Sequence, residues 1–165
     1  MTNDPSATAR VMPREELAAL LQHRHAGETV VFTNGCFDIL HPGHVRSLEA
    51  ARALGDVLVV GVNADASVRR LKGERRPIVP EAERAEMLAA LRPVTYVTIF
   101  EEDTPVETIA ALRPDVHVKS GDYCAEELPE TPIVERHGGR VVIVPFVEGL
   151  STTDIVARVK ERYCR

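Results

Sequence analysis

Two histidines one helical turn apart, His41 and His44, close the run Thr33-Asn34-Gly35-Cys36-Phe37-Asp38-Ile39-Leu40-His41-Pro42-Gly43-His44. Residues at this spacing share a helix face, so two imidazoles can point the same way from one helix end. Pro42 suits the first helical position, where a missing N–H costs nothing. The free N–H groups behind it, together with the helix dipole, make an anion site. Gly35 and Gly43 let backbone come close to a ligand. Imidazoles placed there can donate to phosphate oxygens and stabilise charge that builds up in phosphoryl or nucleotidyl transfer. Simpler accounts use the same residues: His41 as a helix cap, His44 as a half-buried surface residue, or a zinc site from Cys36, His41 and His44. No Cys-x-x-Cys or other nearby cluster supplies a fourth ligand for that metal.

The elements that must position these residues can be read from the apolar pattern. Thr29-Val30-Val31-Phe32 is β-branched and aromatic, as a buried parallel strand should be, and Val45, Leu48, Ala51 and Ala53-Leu54 follow at roughly helical spacing. The histidine run is therefore a strand-to-helix turn. Further strands are expected at 57–62, 94–99, 116–119 and 141–145, after a first at 30–33. Helices are expected at 13–24, 44–54, 81–91, 106–112, 131–137 and 153–162. This alternation predicts a single α/β domain over 13–165, preceded by a disordered tail at 1–12. The domain is expected to be a Rossmann-like, doubly wound parallel sheet of about five strands ordered 3-2-1-4-5, with ligands at the carboxyl ends.

The strand-end rule gathers separated residues onto one edge of that sheet. Thr33 to Asp38 follow the first strand, Asn63 and Asp65 the second, Lys119 to Tyr123 the fourth, and Phe146 to Thr153 the fifth. Ser151, Thr152 and Thr153 precede an apolar-periodic segment, so they can form a second helix-start phosphate cradle, although plain N-capping would account for one hydroxyl. The basic run Arg69-Arg70-Leu71-Lys72-Gly73-Glu74-Arg75-Arg76 reads either as a solvated face or as a phosphate-facing loop. Asp38, Asn63 and Asp65 can bond sugar hydroxyls; a turn-forming role is open for Asn63 and Asp65.

The segment Gly35 to His44 resembles the G-x-F-D-x-x-H-x-G-H signature of the cytidylyltransferase-like nucleotidyltransferase superfamily. Four more segments resemble its heptose 1-phosphate adenylyltransferase branch, which makes ADP-heptose. They are Leu71-Lys72-Gly73 with Arg76-Pro77, Phe100-Glu101-Glu102-Asp103-Thr104-Pro105, Val118-Lys119-Ser120-Gly121-Asp122-Tyr123, and Gly149-Leu150-Ser151-Thr152-Thr153. Ser120 stands where that branch would have glycine. The resemblance runs over about residues 30–160, and the later segments are more specific than the histidine signature.

That resemblance implies transfer of AMP from ATP to D-glycero-D-manno-heptose 1-phosphate, with Mg²⁺ accompanying the nucleotide, for heptose-containing glycans of the lipopolysaccharide core type. It makes His41, His44 and Lys72 catalytic. Thr33, Asn34, Gly35, Cys36, Phe37, Gly43, Arg84, Lys119, Gly121, Asp122, Ser151, Thr152 and Thr153 become the ATP-binding set. For Arg84, a surface ion pair with Glu81 or Glu83 is the plain alternative. Asp38, Asn63, Asp65 and Arg76 become the set for the sugar phosphate, and no residue is assigned as a direct metal ligand. No residue spells out adenine against cytosine, so a cytidylyltransferase acting on glycerol 3-phosphate or another polyol phosphate is the competing enzyme. A non-catalytic nucleotide-binding regulatory module is the competing class.

Composition bounds the rest. At 165 residues, 44% hydrophobic and 27% charged, the chain can bury one core. The net charge of −5 argues against a nucleic-acid or membrane role. Cys36, Cys124 and Cys164 form no disulfide framework, and no apolar run reads as a signal or membrane span, so a cytoplasmic protein is expected. The family further implies a homodimer. The length leaves no room for a sugar kinase domain, so that step is expected from another protein.

Overall fold

The computed structural model describes residues 10–145 and 149–163. Phe146, Cys164 and positions 1–9 of the expected tail lie outside the described residues. The elements in chain order are β1 (Arg10–Val11), α1 (Arg14–Gln22), β2 (Val30–Gly35), α2 (Pro42–Arg52), β3 (Val57–Asn63), α3 (Asp65–Lys72) and α4 (Glu81–Ala89). They continue with β4 (Tyr96–Phe100), α5 (Val106–Leu112), β5 (Val116–Ser120), α6 (Thr131–Arg136), β6 (Arg140–Val144) and α7 (Thr152–Tyr163).

All pairings are parallel, and the sheet runs β1-β4-β3-β2-β5-β6. Its last five strands have the expected order. The chain steps outward from β2 through β3 to β4, then returns to β5 on the other side of β2, so β2 and β5 flank the point where strand order reverses. Alternation along the strands divides the core into two layers. Val30 and Phe32 pack with Leu17, Leu21, Ile109 and Val134 beneath α1, α5 and α6. Val31 and Val60 pack with Leu48, Leu88 and Val118 beneath α2 and α4. Wholly buried side chains such as Phe32, Leu58 and Leu88 each contribute about 1.5–3 kcal/mol.

Four departures from the sequence expectations have physical reasons. Arg10–Val11 is a sixth, edge strand aligned with Tyr96 and Val97, and the Met12 N–H extends it by donating to Val97 O at 3.0 Å. A two-residue strand is too short to show alternation, and it shortens the expected tail. Residues 65–72 are helical, so Arg69 to Lys72 of the basic run lie on α3, not in a loop. The buried face of α3 is Ser67 and Val68, too polar for apolar periodicity to reveal. Helix α2 begins at Pro42, two residues ahead of the expected start, in the position proline favours. Thr95 lies outside β4 because its hydroxyl accepts the Leu58 N–H at 3.1 Å.

Candidate active site

One cavity of about 500 Å³ opens at the carboxyl ends of β2, β3 and β5. Its floor is Thr33, Asn34, Gly35 and Cys36 from the end of β2. The chain then turns through Phe37 and Ile39, both left-handed at φ 48° and 50°. Non-glycine residues there cost about 1–3 kcal/mol each and persist only where surroundings hold them. Asp38 between them is 1% exposed and does that holding. Its carboxylate accepts the Ile78 N–H at 2.9 and 3.0 Å, the Val79 N–H at 2.9 Å, and the Arg76 guanidinium.

A second anchor comes from Arg84 on α4, whose side chain is wholly buried. It donates to the Val79 carbonyl at 2.9 Å, to Asp65 Oδ1 at 2.7 Å and to the Cys36 carbonyl. Together Asp38 and Arg84 tie the 73–80 segment to the histidine turn. Two of the expected site residues thus have protein partners of their own. Every guanidinium nitrogen of Arg84 has a protein acceptor, so Arg84 positions the turn and does not line the cavity. Asp38 lines it, but both its oxygens are taken, so they are not free to bind sugar hydroxyls.

The turn delivers His41 and His44 into the cavity wall with their rings stacked at 3.8 Å. Phe37 braces His44 at 5.3 Å. His41 is the N-cap residue in extended conformation, yet its side chain makes no capping bond, which leaves the ring for the cavity. Neither Nδ1 has a partner among the described residues. Burial, reinforced by the neighbouring His41, pushes His44 down to about 4; burial lowers His41 as well, with Asp154 opposing. Both rings are therefore neutral at pH 7, each with one N–H to donate, and a bound anion would favour the protonated form. A Cβ on Gly43 would stand 2.9 Å from the His41 ring and 3.3 Å from Leu150 Cβ, so the missing side chain leaves room for that ring and for the approach to α7.

The facing wall is Ser151, Thr152 and Thr153 at the start of α7. Ser151 acts as a local cap: its Oγ accepts the Asp154 N–H at 3.1 Å and donates to Asp154 Oδ2 at 2.6 Å. Plain capping thus accounts for that one hydroxyl, while those of Thr152 and Thr153 carry no bond among the described residues. Lys72, exposed at the last turn of α3, lines the cavity beside Arg76 and Asn63. Gly73, at φ 93°, ends that helix. Asn63 donates to Ser67 Oγ at 3.0 Å. Cys36 is half-buried, and burial raises its thiol, against the field of Lys72, Arg84 and Arg76.

On the other side, Lys119 Nζ donates to Asn34 Oδ1 at 3.3 Å and Glu130 Oε1 at 2.8 Å, and Thr33 Oγ1 donates to the Val118 carbonyl at 2.9 Å. Of the expected residues, Asp65, Gly121 and Asp122 do not line the cavity: Asp65 is held by Arg84, and Gly121 N–H donates to Val144 O at 3.1 Å. Among the residues that sequence reasoning left out of the site are Ser47, Thr104 and Glu130, whereas Tyr123 and Leu150 fall within the strand-end ranges it gathered. Thr104, Tyr123 and Leu150 stand inside the quoted segments; nothing local marks Ser47 or Glu130. Among the described residues, no three His, Cys, Asp or Glu side chains come together to hold a metal ion, so the zinc alternative lacks a geometry. No described helix is long and apolar enough to cross a membrane.

Comparison with known proteins gives the family. The model of the cytidylyltransferase-like family matches residues 32–158, which contain both helix starts. The Bifunctional protein HldE of Pelobacter propionicus is 56% identical over 94% of this chain and 32% of its own length, and that of Trichlorobacter lovleyi 53% over the same shares. The chain thus spans about a third of the length of these curated relatives. The crystal structure of the lipopolysaccharide core biosynthesis protein from Thermoplasma volcanium is 31% identical, with a TM-score of 0.61 over 73% of this chain and 98% of that one. Pantoate-beta-alanine ligase from Francisella tularensis, 10% identical at a TM-score of 0.61, shares the fold alone. With its family model covering most of the sheet and both walls of the cavity, the chain belongs to the cytidylyltransferase-like family.

Proposed function

We propose that this chain is an adenylyltransferase that moves AMP from ATP to D-glycero-D-manno-heptose 1-phosphate, giving ADP-heptose and pyrophosphate for a glycan of the lipopolysaccharide core type. The observation that carries the reading is the meeting of two helix starts, Pro42–His44 and Ser151–Thr153, across Gly43 and Leu150 on one cavity with Lys72 at its rim. Supporting the choice of substrate are the bifunctional relatives and the lipopolysaccharide core protein of similar structure.

A phosphate oxygen of the sugar 1-phosphate attacks the α-phosphorus of ATP. The new P–O bond forms as the bond to the bridging oxygen breaks, and pyrophosphate leaves with the electron pair. A phosphate monoester has its second pKa near about 6, so the attacking oxygen is already ionised and needs no strong base. Catalysis is alignment plus charge stabilisation. His41 and His44 donate to the phosphates of ATP, Lys72 bridges the α-phosphate and the incoming sugar phosphate, and Thr152 and Thr153 hold the leaving β- and γ-phosphates. Asn34, Gly35 and Lys119 take the nucleoside side; Asn63 and Arg76 face the acceptor.

Magnesium fits as a passenger on the nucleotide. Asp38 is committed to its three donors and Asp154 to Ser151, and no described cluster forms a cage. Such an ion would arrive with the nucleotide and would supply charge neutralisation at its phosphates. In this reading the protein works as a cytoplasmic homodimer.

The test is pyrophosphate release with ATP and with CTP across heptose 1-phosphate, other sugar 1-phosphates and glycerol 3-phosphate. Release with ATP and heptose 1-phosphate is expected to exceed every other pair. Preference for CTP with glycerol 3-phosphate would make this a cytidylyltransferase, and tight nucleotide binding without release from any pair would make it a regulatory module.

A further inference from the structure

Glu130 stands apart from the phosphate machinery. It is 2% exposed, lines the cavity, and gives one oxygen to Lys119 at 2.8 Å while its other oxygen has no partner among the described residues. Lys119 spends a second N–H on Asn34 Oδ1 at 3.3 Å, across the point where strand order reverses between β2 and β5. Of its three donors, one remains. The pair thus holds one spare N–H and one unpartnered carboxylate oxygen, the latter enclosed at the cavity lining and reached by a small turn of the Glu130 carboxylate, on a couple with no net charge.

That combination is wrong for a phosphate. The carboxylate cancels the ammonium and would itself repel an anion, in contrast to Lys72, for which no acidic partner is found among the described residues. It suits a neutral group that both donates and accepts, and an unpartnered buried carboxylate oxygen is costly until such a group arrives. Two adjacent hydroxyls on a sugar ring match it: one accepts from Lys119 and its neighbour donates to Glu130. The half-exposed Tyr123 ring and Ser120 line the cavity on the same strand-end. We propose that Lys119 and Glu130 form a diol-reading couple, with Glu130 as the specificity-determining residue for a vicinal diol of a sugar ring. This rests on the nucleotidyl-transfer reading, which puts two such diols in the cavity, one on the ribose of the nucleotide and one on the acceptor.

Two arms separate those sources. In the first, calorimetry compares binding of ATP with 2′-deoxy- and 3′-deoxy-ATP; in the second, turnover compares the sugar 1-phosphate with analogues lacking one ring hydroxyl. In one arm the native protein should prefer the intact diol by about ten- to hundredfold, the range for a hydrogen bond to a charged group. Glu130→Gln should shrink that preference to within about threefold, with most of the loss on the intact diol. Should Glu130→Gln fold poorly, Lys119→Met with Glu130→Leu removes both charges together and should give the same loss of preference. An unchanged preference in both arms, in either variant, would overturn the proposal and leave Glu130 a support for Lys119. Absence of turnover with every acceptor would defeat the adenylyltransferase reading, yet the ATP binding arm would still test the couple: no preference for ATP over its deoxy analogues would then overturn it.

Discussion

The two helix starts that face each other across the cavity are held in opposite ways. The α2 start is locked by bonds from far along the chain: Asp38 gathers the N–H groups of Ile78 and Val79 with Arg76, and Arg84 reaches the Cys36 carbonyl from α4. The α7 start is held by the short-range Ser151–Asp154 cap on a helix whose one buried residue is Thr152. The difference separates the two tasks. In the proposed reaction, imidazoles that donate to the phosphates undergoing transfer need fixed geometry, and tertiary polar bonds supply it. The proposed cradle for a departing pyrophosphate needs donors more than rigidity, and a capped helix end supplies those.

Breaking the long-range side should cost most. Arg84→Met removes a wholly buried guanidinium and strands Asp65 and two carbonyls, so unfolding stability should fall by about 3 kcal/mol or more. Urea denaturation reads it, and a loss under about 1 kcal/mol would mean that the buried clamp does not hold the turn.

Acid should weaken the fold next. His117, wholly buried against Phe32 with no hydrogen-bond partner for either ring nitrogen among the described residues, and His44 are both pushed by burial from 6.5 down to about 4. Between those values the unfolded chain takes up protons that the folded one refuses, so stability falls as pH drops from 6.5 toward 4. The slope is at most about 1.4 kcal/mol per pH unit for each group. His117→Phe should remove roughly half of that slope in denaturation curves taken across the window. An undiminished slope would place the acid sensitivity elsewhere.

The smallest effect belongs to the α7 cradle. Ser151→Ala should cost about 1 kcal/mol of local stability, seen as faster amide exchange in the first turn of α7 with the global transition little changed. A loss as large as that of Arg84→Met would erase the contrast between the two helix starts.

What was legible in the sequence follows this same division. The histidine turn, the Ser-Thr-Thr helix start and the strand order were written in local signals: a β-branched run ending in glycine, a proline at the first helical position, hydroxyls before an apolar period. Long-range commitments were not. Asp38 was open to sugar hydroxyls and Arg84 entered the nucleotide set through the resemblance, because sequence shows a charge and not the partner it bonds. Glu130 gave no sign, its pairing with Lys119 depending on how the segment before α6 folds back over β5. Helix α3 stayed hidden because its buried face is a serine and a valine.

The central claim is that the locked turn supplies charge stabilisation to nucleotidyl transfer, and His44→Ala tests it most directly. Turnover measured by pyrophosphate release from ATP and heptose 1-phosphate should fall by ~10²-fold or more, with the unfolding transition retained and ATP binding weakened far less. A fall of less than tenfold in a folded variant would contradict the account.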